Sequence, residues 1–165
     1  MKMPHWVKVI FAAIAAIGLP ACDAISIQEL KPGISTAAEV RARMGVPTQE
    51  YSNPDGTTTL EFSRQPSGVE CYMATIGPDQ ILQKIEQVLT ETNLAKVAVG
   101  MDRDEVRRLL GMPGTKTVFE NLQEEVWDWR VAGTINTERA HFHAHFDLAS
   151  GLVVRTSRLV EPGGL

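Results

Sequence analysis

Three of the chain's four histidines stand at alternate positions of "ERAHFHAHFD": His141, His143 and His145. A neutral imidazole binds zinc or copper, a protonated one carries charge near neutral pH, and either form can pass a proton. Residues two apart on a strand share a face and stand about 6 to 7 Å apart, so the run can present three rings in a row. Three chemistries fit that spacing. The rings can be a solvated strand face, a polar partner-binding face switchable by pH, or a chelating set of His141, His143 and His145 with Asp128 as an extra ligand. A flat open face lacks the enclosure and outer hydrogen bonds of most structural metal sites. The expectation is therefore no cofactor and no metal, with the three histidines as the alternative ligand set.

The flanking residues say what must hold these side chains. Phe142, Ala144, Phe146 and Leu148 alternate with the histidines and require an apolar core behind them. In "EEVWDWRV", Trp127, Trp129 and Val131 belong to the same core, which leaves Val126, Asp128 and Arg130 beside the histidines. On the following strand, Leu152 and Val154 are expected to look inward and Arg155 outward. The candidate partner-binding face is Asp128, Arg130, His141, His143, His145 and Arg155.

The helices that cover such a sheet are legible because the chain repeats itself. "TAAEVRARMGVP" (Thr36 to Pro47) aligns with "DRDEVRRLLGMP" (Asp102 to Pro113) at an offset of 66. Thr36 and Asp102 are N-cap residues with glutamate three positions later, the signature of a capping box. Gly45 and Gly111 suit the residue after a helix end, and Pro47 and Pro113 forbid continuation. Downstream, Leu60 aligns with Trp127, Phe62 with Trp129, Cys71 with Phe142 and Met73 with Ala144. The expected fold is α+β: two tandem ααβββ modules, each with two short helices packed on a three-stranded antiparallel meander. The expected organisation is residues 1–21 signal peptide, 22–29 lipid-proximal tether, 30–90 first module, 91–160 second module and 161–165 tail.

The N-terminus is of another kind. Lys2 and Lys8 precede the apolar run Val9 to Leu19, which is too short for a membrane-spanning helix and has the length of a signal-peptide core. It ends in "LPAC", which resembles the bacterial lipobox, so Cys22 is expected to carry lipid. Two or three acyl chains anchor stably, each buried CH₂ contributing about 0.8 kcal/mol. Without Lys2 and Lys8, fourteen basic residues face twenty acidic ones, a formal −6. Such a domain lacks the basic surface that nucleic acid requires. Cys71 is left without a disulfide partner and reads as a buried packing thiol.

The chain shows no G-x-S-x-G elbow, no H-E-x-x-H and no phosphate-binding glycine loop, so no catalytic residues are assigned. "VAVGMDRDEVRRLLGMP", "VWDWRV" and "HFHAHFDLASGLV" together resemble the BamE (SmpA/OmlA) family of outer-membrane assembly lipoproteins. The resemblance covers Val97 to Arg158, with a degenerate first copy at "KPGISTAAEVRARMGVP". It implies an ααβββ fold and a non-enzymatic accessory role beside the complex that inserts β-barrel proteins. Envelope proteins, that complex among them, and the membrane through a lipid anchor are the implied partners. The implied location is the periplasmic side of the cell envelope, with the outer membrane favoured. Asp23, directly after Cys22, instead suits the inner membrane. Paired modules are also similar in architecture to β-lactamase inhibitor proteins, so an inhibitor-like or scaffold binding role is a second reading. A periplasmic metal-binding protein using His141, His143 and His145 is the third.

Overall fold

The structure is a computed structural model and describes residues 27–133 and 139–161. Cys22, Asp23, the signal-peptide stretch 1–21 and most of the 161–165 tail lie outside the described residues. Helix α1 (Ala37–Met44) leads into strands β1 (Gln49–Ser52), β2 (Thr58–Ser63), β3 (Cys71–Ile76) and β4 (Leu82–Gln87). A single helical turn, α2 (Glu91–Leu94), and helix α3 (Arg103–Leu110) then lead into β5 (Thr115–Phe119), β6 (Glu124–Ala132), β7 (Arg139–Asp147) and β8 (Val153–Glu161). The strands form two separate antiparallel sheets in the orders β1-β2-β3-β4 and β5-β6-β7-β8.

Each sheet thus has four strands where three are expected. The additional strands, β1 and β5, are wholly or largely solvent-facing and carry no apolar alternation that would reveal them. The second sheet carries the two short helices expected of it, α2 and α3, and the first sheet carries α1, with Ile27 and Gln28 also helical at the start of the described residues.

The two long helices begin as their caps dictate. Thr36 Oγ1 accepts from the Glu39 amide at 3.2 Å while Glu39 Oε2 accepts from the Thr36 amide at 2.7 Å. Asp102 and Glu105 exchange the same two bonds, both at 2.8 Å. Two orphan N–H groups are satisfied at each start. Each helix ends at a glycine with positive φ, Gly45 at 89° and Gly111 at 81°. Their ψ angles of −157° and −172° differ from a left-handed turn and send the chain out extended. That region of backbone space is essentially open to glycine alone.

Equivalent backbone bonds recur in both halves. Gly33 N–H donates to the Leu82 carbonyl at 2.7 Å, and Gly100 N–H donates to that of Val153 at 2.8 Å. Isolated bridges join Thr36 to Ile81 and Asp102 to Leu152. In each half the N-cap is thereby stitched to the start of the last strand.

The layers stack helix, sheet, helix, sheet. Val40 and Met44 of α1 pack on Leu60, Phe62, Ala74 and Ile76 from one face of the first sheet. From its other face, Cys71 and Met73 join a second cluster with Val106 and Leu110 of α3 and with Trp127, Trp129, Phe142 and Phe146 of the second sheet. Helix α3 is therefore covered on both sides. Cys71 is buried as expected, but against the end of α3 rather than under its own helix.

The free face of the second sheet is the surface of interest. A register shift between His145 and Phe146, opposite the start of β8, resets the alternation there. Val153 is consequently the buried residue, while Leu152 and Val154 are exposed, which corrects the inward assignment of those two. Arg155 pairs with His145 on the outer face, where it was expected. Among the described residues no helix is long and apolar enough to cross a membrane.

Candidate binding face of the second sheet

Asp128 stands directly opposite His143, Arg130 opposite His141 and Val126 opposite His145 on the β6–β7 ladder. On the other side of β7, His141 faces Leu159, His143 faces Ser157 and His145 faces Arg155. All six predicted residues thus share one face, held by the Trp127, Trp129, Phe142 and Phe146 packing behind it. The aromatic contacts are close, with Trp127 and Phe146 ring centres 4.9 Å apart. Trp129 Nε1 donates to the Gly111 carbonyl at 3.1 Å, which fixes the sheet to the end of α3.

The rings are not a simple wet row. The three histidine ring centres are spaced at 6.3 Å, with His141 and His143 nearly parallel. Their side chains are 28%, 20% and 10% exposed for His141, His143 and His145. A chain of polar contacts runs across them. Asp128 Oδ1 lies 2.9 Å from His141 Nδ1, and Asp128 Oδ2 lies 3.7 Å from His143 Nε2. Ser157 Oγ lies 3.3 Å from His143 Nδ1 and 3.0 Å from His145 Nε2. His145 Nδ1 meets Glu124 Oε2 at 2.9 Å, and Arg155 donates to the same carboxylate at 2.6 Å.

Two members of this chain, Glu124 and Ser157, were not foreseen. Both become neighbours only through cross-strand register, which spacing along one strand does not give. Glu124 ends the β6 ladder opposite Asp147 and reaches His145 diagonally.

The electrostatics follow from the packing. Burial holds the His143 imidazole below its ordinary value against the opposing pull of Asp128, and the neighbouring His145 and His141 add to the lowering. The Glu124 carboxyl is held low, chiefly by its bond from Arg155. Arg130 turns its guanidinium away from Asp128 and donates to the Ser67 carbonyl at 3.1 Å. Its backbone is gripped by Gln65, whose Nε2 donates to the Arg130 carbonyl at 2.7 Å and whose Oε1 accepts the Arg130 amide at 3.0 Å. β5 pairs with β6 only as far as Asp128, so the Gln65 amide takes the place of the next strand residue.

Arg130 therefore serves the junction of the two halves as well as the face. As a metal set, the three histidines are separated, because His145 has both ring nitrogens engaged by Glu124 and Ser157. The ligand atoms that do converge belong to Asp128, His141 and His143, all within 4.8 Å of one another.

No curated protein matches this chain. Two solved structures align with much of it at low similarity. A candidate beta-lactamase inhibitor protein from Streptococcus mutans has a TM-score of 0.33 and 10% identity, covering 82% of this chain and 94% of its own. A DUF4309 family protein (YjgB) from Bacillus subtilis subsp. subtilis str. 168 has a TM-score of 0.31 and 13% identity, covering 82% and 83%. Neither likeness reaches the level at which a shared fold follows. A family match falls on residues 86–130, which hold α2, α3, β5 and β6 as far as Arg130, and stops short of the histidines. Over this stretch the chain is similar to a family described as "Outer membrane protein assembly factor BamE domain".

Proposed function

We propose that this protein is a lipid-anchored, periplasm-facing binding module that acts as an accessory factor in outer-membrane protein assembly or envelope integrity. The observation that carries the reading is the BamE-domain match over residues 86–130. That stretch builds α3 and the β5–β6 half of the second sheet, and so positions Asp128 and Arg130 on its free face. Lipid on Cys22 would tether the domain. The repeated caps and backbone bonds support a tandem pair of related modules, divided between residues 30–90 and 91–160. The role is binding rather than catalysis.

The free face suits a protein partner on physical grounds. It is polar and half-buried in itself, with exposed Leu159 opposite His141 as an apolar contact point. Interfaces of this kind take their specificity from placed charges, and Arg155 and Asp128 supply both signs. The test is affinity capture of the tagged full-length chain from detergent-solubilised envelopes. Recovery of the β-barrel insertion complex, lost in a Cys22→Ser variant that is no longer membrane-bound, is the expected outcome. Failure to recover that complex under conditions that preserve it contradicts the assembly role.

A further inference from the structure

We propose that Asp128, His141 and His143 form a binding site for one divalent ion of the zinc and copper class, with His145 outside the coordination sphere. Two imidazoles and one carboxylate are the donor set such ions accept, and three protein ligands leave a position for water. Asp128 is the hub. It lies directly across the ladder from His143 and diagonal to His141, so its short side chain sits between the two rings. The donor pairs Asp128–His141 and Asp128–His143 are 2.9 and 3.7 Å apart. A tetrahedral ion with bonds near 2.1 Å separates its donors by about 3.4 Å, so modest ring rotations complete the site.

The surrounding residues prepare these ligands. Ser157 Oγ engages His143 Nδ1 at 3.3 Å, which leaves Nε2 facing Asp128 and fixes the ring. Such outer hydrogen bonds orient metal-ligating histidines and tune their basicity. Ser157 is itself held by His145, and His145 by Glu124, so the support extends over three strands. The guanidinium of Arg130 leaves Asp128 for the Ser67 carbonyl. Metal entry replaces the proton shared by His141 Nδ1 and Asp128 Oδ1, and the imidazole takes its Nε2–H form. The site is partly enclosed, with Asp128 at 28% exposure.

The inference does not depend on the assembly role. It is tested by calorimetric titration of the full-length chain in detergent with zinc alone. Cobalt absorption reports the coordination geometry in parallel. The expected result is one ion per chain at micromolar affinity. Binding should weaken at least tenfold in Asp128→Asn and in His143→Ala, but by less in His145→Gln, and zinc should raise the melting temperature of the wild type and of His145→Gln but not of the two ligand variants. Asp128→Asn is nearly isosteric, and its metal-free melting curve checks that the fold is kept. No binding at micromolar zinc overturns the site. So does binding unchanged in both ligand variants, which would place the ion elsewhere on the chain.

Discussion

Glu61 Oε1 accepts the backbone N–H of Met112 at 3.1 Å, and this bond joins the first sheet to the residue that follows the end of α3. The Glu61 carboxylate is fully buried. It also accepts from Thr48 Oγ1 and Tyr51 Oη, both at 2.7 Å, and Arg107 lies 3.6 Å away. A buried charge is tolerated only with partners of this number. The carboxylate and the shared Cys71–Val106–Trp129 core together hold the two halves in one stack.

Removing the carboxylate should therefore unsettle both halves at once. Glu61→Ala strands Arg107, Tyr51, Thr48 and the Met112 amide, at a cost of about 3 to 5 kcal/mol. Glu61→Gln keeps an acceptor oxygen and should cost less. Urea unfolding followed by tryptophan fluorescence and far-UV dichroism checks this, and both probes should shift together. A Glu61→Ala midpoint equal to that of the wild type would mean that the junction carries little of the fold.

Gly45 and Gly111 share a backbone conformation but differ in surroundings. Nothing lies within 4 Å of a Cβ added at Gly45, whereas one at Gly111 would overlap Cys71 Sγ. Gly45→Ala should cost only the strain of the forbidden region, about 1 to 3 kcal/mol. Gly111→Ala should cost that much and more, because α3 must back away from β3. Melting temperatures decide the order, and equal losses would contradict the close approach.

The Cys71 thiol is pushed up to about 12 by burial, with the negative Glu61 adding to the shift. Thiolate is the reactive form, so Cys71 should be inert. In a Cys22→Ser background, a thiol reagent at pH 8 should label the native protein negligibly and the urea-unfolded protein fully. Rapid labelling of the native state would contradict the burial.

Acid should weaken the fold through its turn and cap carboxylates. Glu39 is held below 4.5 by the Thr36 backbone bond first and the Thr36 hydroxyl second. Asp147 is held below 3.8 by the Ser150 hydroxyl and then the Ser150 amide. A carboxyl depressed in the native state contributes stability that is present above its unfolded value and is lost as pH falls through the folded one. Urea midpoints should fall on going from about pH 5 to pH 3. A Glu39→Gln, Asp147→Asn variant should show a shallower fall than the wild type. Parallel curves would show that these caps do not set the acid limb.

Much of the fold was readable where local chemistry decides structure. The Thr36/Glu39 and Asp102/Glu105 caps and the Gly-x-Pro stops predict α1 and α3 directly. The Trp127–Trp129 and Phe142–Phe146 alternation predicts which side of β6 and β7 is buried. What escaped depends on distant partners. β1 and β5 are formed by pairing, not by an apolar face of their own. The inward turn of Val153 follows from a register shift that no alternation rule contains. At the site, the shared face of Asp128, Arg130, Arg155 and the three histidines was legible from alternation. Their division was not, because His145 is drawn off by Glu124 and Ser157 from two other strands.

The central claim is that the free face of the second sheet docks an envelope partner belonging to the β-barrel insertion machinery. Site-specific photocrosslinking in intact cells addresses it most directly. A crosslinking residue would be placed at Thr117 or Leu159, both exposed on that face, and separately at Arg43 of α1 at the opposite end of the stack. Adducts with a subunit of the insertion complex from Thr117 and Leu159, and none from Arg43, are the predicted result. Adducts to that complex from Arg43 alone, or from none of the three positions, would contradict the claim.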